Sequence, residues 1–410
     1  MQLNKRKIIN DPVYGFITIP DELIFDIIEH PYFQRLRRIK QLGLTHLVYP
    51  GALHTRFHHA LGAMHLMNEA IDLLRLKGNS VTDDEAKSAM IAILLHDIGH
   101  GPFSHCLENS IVKGMRHEEM SEIFMSAINK QFDNRLTDAI RIYKGLYPKK
   151  FLHQLVSGQL DVDRLDYLKR DSFFTGVSEG VISTDRIIKM MNVSYDSLVI
   201  EDKGIYSIEK FIVARRLMYW QVYFHKTVLS AENLLIKILD RANFLVRSGK
   251  KLFATPALHF FLSNTFTKNS FNLDDHAVDY FALLDDDDIN SAIKVWINDD
   301  DKILSFLSNS LVNRHLFKIE LGNSPFENEY ISIIKNKVSH MFNVEDKDTS
   351  YFVLNGYIEN NAYNPRFDKI NILYRGGEIK DISEAFEQIN VGILSETQKK
   401  FYLCYPKTIN

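Results

Sequence analysis

The sequence has few cysteines, little net charge and no long apolar runs, and each of these features excludes a class of protein. Only Cys106 and Cys404 are present among 410 residues, so we expect no disulfide framework and a reducing compartment. The formal net charge of -3 gives no global field that would hold nucleic acid or an anionic membrane. No apolar run reaches the ~18 residues that span a bilayer, and residues 1–12 lack a signal-peptide core. We therefore expect a cytoplasmic protein without membrane or nucleic-acid partners.

The composition provides enough apolar surface for a folded core. Hydrophobic residues make up 45% of the chain and charged residues 25%, which is the balance of an ordinary globular protein. Single hydrophobic cores stop growing near ~250–300 residues, so the length predicts more than one domain. We expect one large domain and one smaller one.

Helical periodicity dominates from residue 21 to about 248. We predict that Asp21 caps the first helix, that Asp83 or Asp84 caps a later one, and that Gly78 closes the helix between them. The other predicted helices cover 57–77, 118–130, 151–171, 184–191 and 207–247, with one hairpin over 198–206 that turns at Lys203-Gly204.

After residue 249 the pattern changes. Residues 257–312 still show helical spacing, but strand-like runs appear at 316–321, 351–357 and 370–374. We therefore predict a mainly α protein with a helical core domain over 1–250 and a smaller C-terminal α+β subdomain over 251–410.

Histidines are concentrated in one part of the chain. Eight of them fall within 64 residues, at His54, His58, His59, His65, His96, His100, His105 and His117. The densest stretch, Leu95 to His105, is an apolar helix that ends in an adjacent His96-Asp97 pair and a Gly-Pro loop. Such a helix places an imidazole and a carboxylate in a partly dry pocket, where paired ionisable groups need a cation or strong hydrogen bonds.

Two other predicted helices offer further ligands for a cation. His59 opens the helix over 57–77 on its apolar, inward-facing stripe. Asp163, Tyr167 and Asp171 share one face at i, i+4 and i+8, so a single helix presents two carboxylates and a phenol along one groove. Hydrolytic metal sites need several N and O ligands with positions left for water and substrate. Taken singly, each of these residues is equally compatible with a satisfied polar group of the core.

The order His59, His96-Asp97, Asp163 resembles the H…HD…D signature of HD-domain phosphohydrolases. His-Asp alone is a common dipeptide, but the surrounding segments are much more specific. They are Phe33–Gly43, Tyr49–His59, His96–His105, His117–Glu118 and Asp161–Tyr167. This series is similar to the deoxynucleoside triphosphate triphosphohydrolases, well over residues 10–250 and loosely beyond. The resemblance implies an all-helical HD-domain core.

The resemblance also implies roles for particular residues. One divalent ion, which could be Mn, Fe, Mg, Zn or Co, would be held by His59, His96, Asp97 and Asp163. The implied catalytic set is His117 and Glu118 for general acid/base work, with His100 and His105 against the phosphates. The resemblance implies that the substrate is bound by Gln41, Leu42, Arg56, Arg164, Tyr167, Arg215, Tyr223 and Lys226. Asp171, from the groove described above, completes the predicted substrate-binding set.

Deoxyribose preference follows from two of these matches. Gln41 and Leu42 match positions that contact the sugar 3′-hydroxyl and pack against C2′ in the family. Phe224 stands where the animal enzyme has a base-contacting glutamine, so the preference for a base does not transfer to this chain.

The implied reaction cleaves a dNTP to deoxynucleoside and inorganic triphosphate by metal-activated water attack at the α-phosphorus. Two alternatives stay open: an HD phosphodiesterase or phosphatase acting on another nucleotide, and a non-catalytic nucleotide-binding regulator. The Gly-Tyr-Pro signature of the cyclic-dinucleotide type is missing from the sequence. The adjacent Glu-Asp pair of the alarmone hydrolase type is missing between 118 and 163.

Assembly, regulation and several lone polar groups are further expectations. Because the family assembles, we expect a homo-oligomer, either a dimer or a tetramer. No SAM domain precedes the HD region, so a nucleotide activator is left open. The cluster Arg35–Arg38 is either a regulatory nucleotide site or a solvated face. We expect packing roles for His54 and His58, and a solvated helix start at Asp285–Asp288.

Overall fold

The computed structural model describes residues 7–271, 275–360, 363, 369–385 and 398–409. It begins with a hairpin of strands β1 (Ile8–Asp11) and β2 (Gly15–Thr18), in which Ile8 pairs with Thr18 and Asp11 with Gly15. Asp11 closes the turn, because its Oδ1 accepts from the backbone N–H groups of Val13 (2.9 Å) and Tyr14 (3.0 Å). Within these described ranges, no helix combines the length and apolar character needed to cross a bilayer.

The body of the molecule is helical from residue 22 to 247. Its helices are α1 (Glu22–Glu29), α2 (Pro31–Gln34), α3 (Arg56–Leu76), α4 (Asp83–Leu95), α5 (Glu108–Ile111), α6 (His117–Gln131), α7 (Thr137–Tyr143), α8 (Lys150–Val156), α9 (Val162–Thr175), α10 (Thr184–Met190), α11 (Ile205–Met218) and α12 (Lys226–Arg247). Strands β3 (Val112–Lys113), β4 (Met191–Ser194) and β5 (Ser197–Glu201) interrupt them. Helix α3 packs against both α4 and α9, which places these three helices side by side at the centre.

The remaining residues add helices and small sheets. The helices are α13 (Pro256–Ser263), α14 (Lys268–Phe271), α15 (Asp275–Leu283), α16 (Asp286–Trp296), α17 (Lys302–Val312), α18 (Asn328–Phe342) and α19 (Ile382–Ala385). The strands are β6 (Phe266–Thr267), β7 (Lys318–Gly322), β8 (Leu354–Asn360), β9 (Asn371–Leu373), β10 (Ile379–Asp381) and β11 (Gln398–Tyr405). The predicted mainly α fold with an α+β C-terminal portion is thus confirmed.

Two of the sheets show how the C-terminal portion is built. Strands β7, β11 and β8 form an antiparallel sheet in that order. Strands β9 and β10 join the β4–β5 hairpin in a four-stranded sheet of order β10-β9-β5-β4, with β5 and β9 parallel. One sheet therefore draws strands from both sides of residue 250, and the domain boundary placed there stays a prediction.

The hairpin predicted at 198–206 has its turn in the wrong place. The chain reverses at Tyr195 and Asp196, whose φ angles of 49° and 60° are those of a tight two-residue hairpin. Lys203-Gly204 lies instead in a short 3₁₀ turn that leads into α11. Tyr-Asp is not one of the dipeptides that mark such turns, which is why the sequence pointed to the later Lys-Gly pair.

The observed helix boundaries differ from the predicted ones where a polar side chain starts a new helix. The predicted helix over 151–171 is two helices, because Asp161 accepts from the Arg164 N–H (2.7 Å) and begins α9. The predicted helix over 207–247 is broken by a π-helical turn at Tyr219–Tyr223, after which the His225 side chain caps α12. Thr82, rather than Asp83 or Asp84, caps α4 through a capping box with Glu85.

Two other boundary predictions are confirmed. The Asp21 side chain accepts from the Leu23 N–H (2.8 Å) at the start of α1. Gly78, with a φ of 88°, follows the last turn of α3. That backbone conformation strains any residue with a Cβ, so the glycine fixes where the helix ends.

Two groups expected on the surface are buried. Arg35 is 0% exposed and donates to the backbone carbonyls of His100 (2.7 Å) and Ile98 (3.3 Å), and burial lowers its pKa to about 9. Asp286 is 1% exposed and accepts from the N–H groups of Lys40 (3.0 Å) and Phe103 (2.7 Å). The expected solvated faces are therefore wrong at both positions. Both side chains hold the loop around the His-Asp pair in place.

Candidate metal centre and substrate cavity

Three helix ends deliver the candidate metal ligands. His59 lies in the first turn of α3, His96 and Asp97 follow the last residue of α4, and Asp163 lies in the first turn of α9. The Nδ1 of His96 donates to the Ile93 carbonyl (2.6 Å), which leaves its Nε2 facing the other ligands. Because α3 packs on both α4 and α9, these three ends meet at one point.

His59, His96 and Asp163 are close enough to share one ion, and Asp97 lies beside them. The Nε2 of His59 lies 3.1 Å from the Asp163 Oδ1 and 3.7 Å from the Asp97 Oδ2. The Nε2 of His96 lies 3.5 Å from the same Asp163 oxygen and 3.4 Å from the Asp97 Oδ1. The structure thus brings together all four residues that the resemblance implied as ligands.

The donor set fits a divalent metal. The Nε2 atoms of His59 and His96 are buried and make no hydrogen bond of acceptable geometry with any residue in the described ranges. Burial by itself would lower the pKa of His59, but the neighbouring carboxylates of Asp163 and Asp166 raise it to about 10. This cluster therefore favours a positive charge between its groups, and two imidazoles with two carboxylates suit the borderline transition metals.

A buried network of hydrogen bonds and ion pairs holds the candidate ligand His59 in place through its Nδ1 atom. Its Nδ1 lies 2.8 Å from the Asp166 Oδ2, and Arg170 donates to both oxygens of Asp166 (2.9 and 3.0 Å). Arg170 also donates to Asp11 of the β1–β2 hairpin (2.7 Å). Such partners fix the tautomer and the orientation of a metal-bound histidine.

Sequence reasoning missed this network. The i, i+4 spacing of Asp166 and Arg170 was a usable signal for an ion pair on α9. No local signal connects Asp11 with a helix that lies 159 residues later.

Imidazoles form a second cluster next to the metal centre. The rings of His100 and His117 stack with their centroids 3.9 Å apart, and His105 stands edge-on to both. Burial, together with the nearby Arg56 and His117, holds the pKa of His100 well below its usual value. His100 is therefore neutral at pH 7 and can act as a hydrogen-bonding group without carrying charge.

The carboxylate partner of His117 is Glu108 rather than Glu118. Glu108 Oε1 lies 2.8 Å from the His117 Nδ1 and also accepts from the His117 backbone N–H (2.6 Å). The Glu118 Oε2 is farther away, at 3.6 Å. Glu108 was missed because it lies nine residues before His117, outside any helical spacing. Both glutamates still lie within reach of the histidine cluster.

A cavity of about 630 Å³ connects these groups. The sequence-predicted site residues that line it are Gln41, Leu42, Arg56, Asp97, His100, His105, His117, Glu118, Asp163, Arg164, Tyr167, Asp171 and Tyr223. Residues not predicted from the sequence also line it, among them Thr45, Cys106, Tyr219, Leu229 and Glu232. A cavity of this size is in the range of small-molecule sites.

Two predicted substrate-binding residues lie elsewhere. Arg215 is buried and does not line the cavity, and its Nη1 lies 3.3 Å from the Gln159 Oε1. Lys226 is exposed at the first position of α12. Their roles toward a substrate stay predictions.

Asp171 orders another part of the cavity wall. Its Oδ1 lies 2.8 Å from the His54 Nε2, and its Oδ2 accepts from the Tyr223 hydroxyl (2.8 Å). The buried Gln41 Oε1 makes no hydrogen bond with any residue the structure describes. His54 thus supports a lining residue, while His58 caps α3 through Thr55, in line with the packing roles expected of both.

The Glu108 carboxyl predicts an acid-sensitive contribution to stability. Burial alone would raise its pKa, but hydrogen bonds from His105 and His117 lower it well below the usual range. A carboxyl whose pKa is lowered on folding stabilises the protein above its unfolded pKa of about 4.3, and this contribution disappears as pH falls toward the folded value. We expect Glu108→Gln to be less stable than the wild type at pH 7, with the difference shrinking below about pH 4.

Urea unfolding followed by circular dichroism between pH 3 and 8 measures this effect. Glu122→Gln, which removes an exposed partner of Lys144, is the matched control and should leave the pH dependence unchanged. A stability difference for Glu108→Gln that is the same at pH 3 and pH 7 would contradict the expectation.

A buried pair of imidazoles and carboxylates that opens into a cavity with arginine and histidine walls is the arrangement of a hydrolytic metal enzyme acting on phosphate compounds. Comparison with known proteins agrees. The HD domain model matches residues 56–171, and the model of the HD associated region matches residues 182–243. The chain belongs to the HD-domain phosphohydrolase family.

Individual relatives differ in how much of the chain they cover. The crystal structure of a phosphohydrolase from Bacteroides thetaiotaomicron VPI-5482 is 54% identical, with a TM-score of 0.95 over 98% of this chain and 100% of that one. The uncharacterized protein YwfO of Bacillus subtilis is 33% identical over 100% of this chain and 94% of its own length.

Relatives named as deoxynucleoside triphosphate triphosphohydrolases match a shorter part. The SAMHD1 homolog of Dictyostelium discoideum is 34% identical over 60% of this chain and 51% of its own length. Human SAMHD1 is 30% identical over 55% of this chain and 43% of its own length. The chain thus spans about half the length of these relatives.

Proposed function

We propose that the protein hydrolyses deoxynucleoside triphosphates to deoxynucleoside and inorganic triphosphate. The observation that carries this proposal is that Asp97 and Asp163 of the candidate metal centre, the histidine cluster and the Asp171–Tyr223 pair line one cavity of about 630 Å³. Relatives that share the HD region carry the name deoxynucleoside triphosphate triphosphohydrolase, which supports the same substrate class.

One end of the cavity suits the phosphates. His59, His96, Asp97 and Asp163 would hold the divalent ion, which when bound polarises a phosphate oxygen and makes water a better nucleophile at neutral pH. Arg56 and Arg164 line the same space and supply planar guanidinium groups that match phosphate geometry. Arg164 is held in place by its ion pair with the buried Asp161 at the start of α9.

The histidine cluster can act as the general acid and base of the reaction. Water attacks the α-phosphorus, the bond between that phosphorus and the sugar O5′ breaks, and the leaving O5′ takes up a proton. An imidazole backed by a carboxylate is suited to that transfer, and His117 with Glu108 has this arrangement. His105 is the exposed member of the cluster and lines the cavity, where a substrate can contact it.

Gln41 and Leu42, which also line the cavity, suit deoxyribose. Gln41 presents an unsatisfied amide oxygen to a sugar hydroxyl, and Leu42 is an apolar neighbour for C2′. A ribose 2′-hydroxyl against Leu42 would lose its water without gaining a hydrogen bond, which costs free energy. We therefore expect kcat/KM for each dNTP to exceed that for the matching NTP.

Product analysis tests the proposal directly. The purified chain is incubated with each dNTP and NTP in the presence of Mn, Fe, Mg, Zn or Co, and the phosphate products are separated by ion-exchange chromatography. Triphosphate and deoxynucleoside in equal amounts are expected. Pyrophosphate or monophosphate would indicate a phosphodiesterase or phosphatase instead, and tight binding without turnover would indicate a nucleotide-binding regulator.

Assembly belongs to the same proposal. We propose a homodimer or homotetramer, which light scattering at several protein concentrations would detect. Repeating the assay with a second, non-hydrolysed nucleotide present would show whether an activator is needed.

A further inference from the structure

The loop between the His96-Asp97 pair and the histidine cluster has an unfavourable backbone. Phe103 and Ser104 both have a φ of 55°, in the left-handed region. Residues with a Cβ rarely adopt this conformation, and a buried aromatic residue such as Phe103 is a clear exception. Such backbone persists only where the surrounding structure holds it, so contacts around the loop must stabilise it.

Asp286 makes one of these contacts from the first turn of α16. Its Oδ1 accepts from the Phe103 backbone N–H (2.7 Å), and its Oδ2 accepts from the Lys40 backbone N–H (3.0 Å). The side chain is buried and does not line the cavity. One carboxylate therefore joins two segments that are far apart in the chain, and it does so from outside the substrate space.

The two segments that this carboxylate joins both form part of the cavity wall. The residues that follow Lys40 and Phe103 line the cavity, and they are Gln41, Leu42 and Gly43 in the first segment and Ser104, His105 and Cys106 in the second. The segments also touch each other, since a Cβ added to Gly43 would lie 3.1 Å from the Phe103 carbonyl oxygen. The Ser104 hydroxyl donates to the Lys40 carbonyl (2.9 Å). A change at Asp286 would therefore act on both sides of this contact.

A carboxylate is the group that this position needs. Two backbone N–H groups point at it, and a carboxylate offers an acceptor oxygen to each. Burial raises the pKa of the Asp286 carboxyl, but the N–H groups of Phe103 and Lys40 and the Lys40 ammonium, 3.7 Å from Oδ2, favour its charged form. An asparagine of the same shape would turn its NH₂ group toward one of the two N–H donors. One segment would then lose its partner.

We propose that Asp286 is a positioning residue for the substrate cavity, which by fixing Lys40 and Phe103 sets the distance between the Gln41–Leu42 segment and His105. The inference rests on the proposed function, in which the first segment contacts the sugar and His105 belongs to the acid–base cluster. A displacement of about 1 Å can cost about 100-fold in rate. Loss of the Asp286 contacts should therefore lower the preference for deoxyribose as well as the rate.

Steady-state kinetics of the full chain with Mn²⁺, using dATP and ATP, test this role. Asp286→Asn removes one of the two acceptor contacts. Asp287→Asn is the matched control, because Asp287 is an exposed residue of the same helical turn. We expect Asp286→Asn to lower the ratio of kcat/KM for dATP to that for ATP by about 10-fold, the size of one buried hydrogen bond, with metal content unchanged. The control should match the wild type.

A merely structural role would give a different pattern. If kcat/KM fell equally for dATP and ATP, or if Asp286→Asn lost the circular dichroism signal of the folded chain, the positioning role would be overturned. Asp286→Glu keeps both acceptor oxygens and should retain more of the ratio than Asp286→Asn. Backbone hydrogen exchange of the nucleotide-free protein should be faster over residues 40–45 and 101–107 in Asp286→Asn than in the control. Unchanged exchange there would also overturn the proposal.

Binding measurements separate this inference from the proposed function. Isothermal titration of dATP and ATP into metal-depleted protein reports the sugar preference without turnover. A wild-type preference for dATP that Asp286→Asn reduces supports the positioning role even if no dNTP is hydrolysed, in which case only the proposed reaction fails. Hydrolysis of dNTPs with a sugar preference that Asp286→Asn leaves unchanged overturns the role while the reaction stands. A wild type that does not prefer dATP overturns it as well.

Discussion

Replacing Asp97 with alanine is expected to remove the bound metal and to lower dNTP turnover by at least about a thousandfold, because a hydrolytic metal contributes several kcal/mol to the transition state. Asp97 lies within 3.4 Å of the His96 Nε2 and forms the ion pair with Arg56. Its loss leaves the 2%-exposed Arg56 without that partner, so we also expect a stability loss of about 3–5 kcal/mol in a chain that still folds.

Metal content by mass spectrometry, turnover, and circular dichroism together check this expectation. Asp83→Ala is a matched control, since Asp83 lies at the exposed start of the same helix α4 and pairs with Arg75 on the surface. The control should keep its metal and its activity. Full metal content and full turnover in Asp97→Ala would show that the assigned centre is not the site of the reaction.

Replacing Arg170 with leucine is expected to lower both the stability of the fold and its affinity for the metal. Arg170 is 0% exposed and joins Asp11 and Asp166, both buried, by hydrogen bonds of 2.7 to 3.0 Å. Removing one partner leaves two buried carboxylates without it, so we expect the free energy of unfolding to fall by about 3–5 kcal/mol. Because Asp166 orients His59, metal affinity should fall by about 10- to 100-fold as well.

Gly62 shows how tightly this network is packed. A Cβ at residue 62 would lie 2.0 Å from the Asp166 Oδ1 and 2.2 Å from the Arg170 Nη2, so only glycine lets α3 approach α9 here.

Urea unfolding and metal titration of the Arg170 variant provide the two readouts. Arg141→Leu is the matched control, because its ion pair with Asp138 is about half exposed on each side and such pairs contribute at most about 1 kcal/mol. An Arg170 variant as stable as this control would mean that the network does not contribute to the fold. Unchanged metal affinity would mean that it does not position His59.

The metal centre was the part of the site most open to prediction. His96 and Asp97 are adjacent in the chain, and His59 and Asp163 each begin a helix with a clear apolar stripe. Local order and spacing therefore marked four candidate ligands. Only the packing of the helices brings these four side chains together. Helix breaks at 157–161 and 219–225 were harder, because helical periodicity continues across both, and a single capping side chain decides where the helix restarts.

Glu108, Asp11 and Glu232 escaped prediction for a common reason. Each acts across the fold: Glu108 on His117 after a turn and a short strand, Asp11 on Arg170 from the N-terminal hairpin, and Glu232 on the cavity from α12. No spacing in the sequence reports such a contact. Arg35 and Asp286 show the same limit, since charged residues are usually exposed and only the packing around them reveals that they are buried.

The sequence by itself determined the helical class, through periodicity, and the family, through motifs of specific residue types. It also marked His59, His96, Asp97 and Asp163, which we propose as metal ligands. The tertiary structure alone decided which carboxylate supports His117 and which network holds His59. Those features depend on distances between elements far apart in the chain. Such distances are set by how the helices pack, which no local stretch of sequence records.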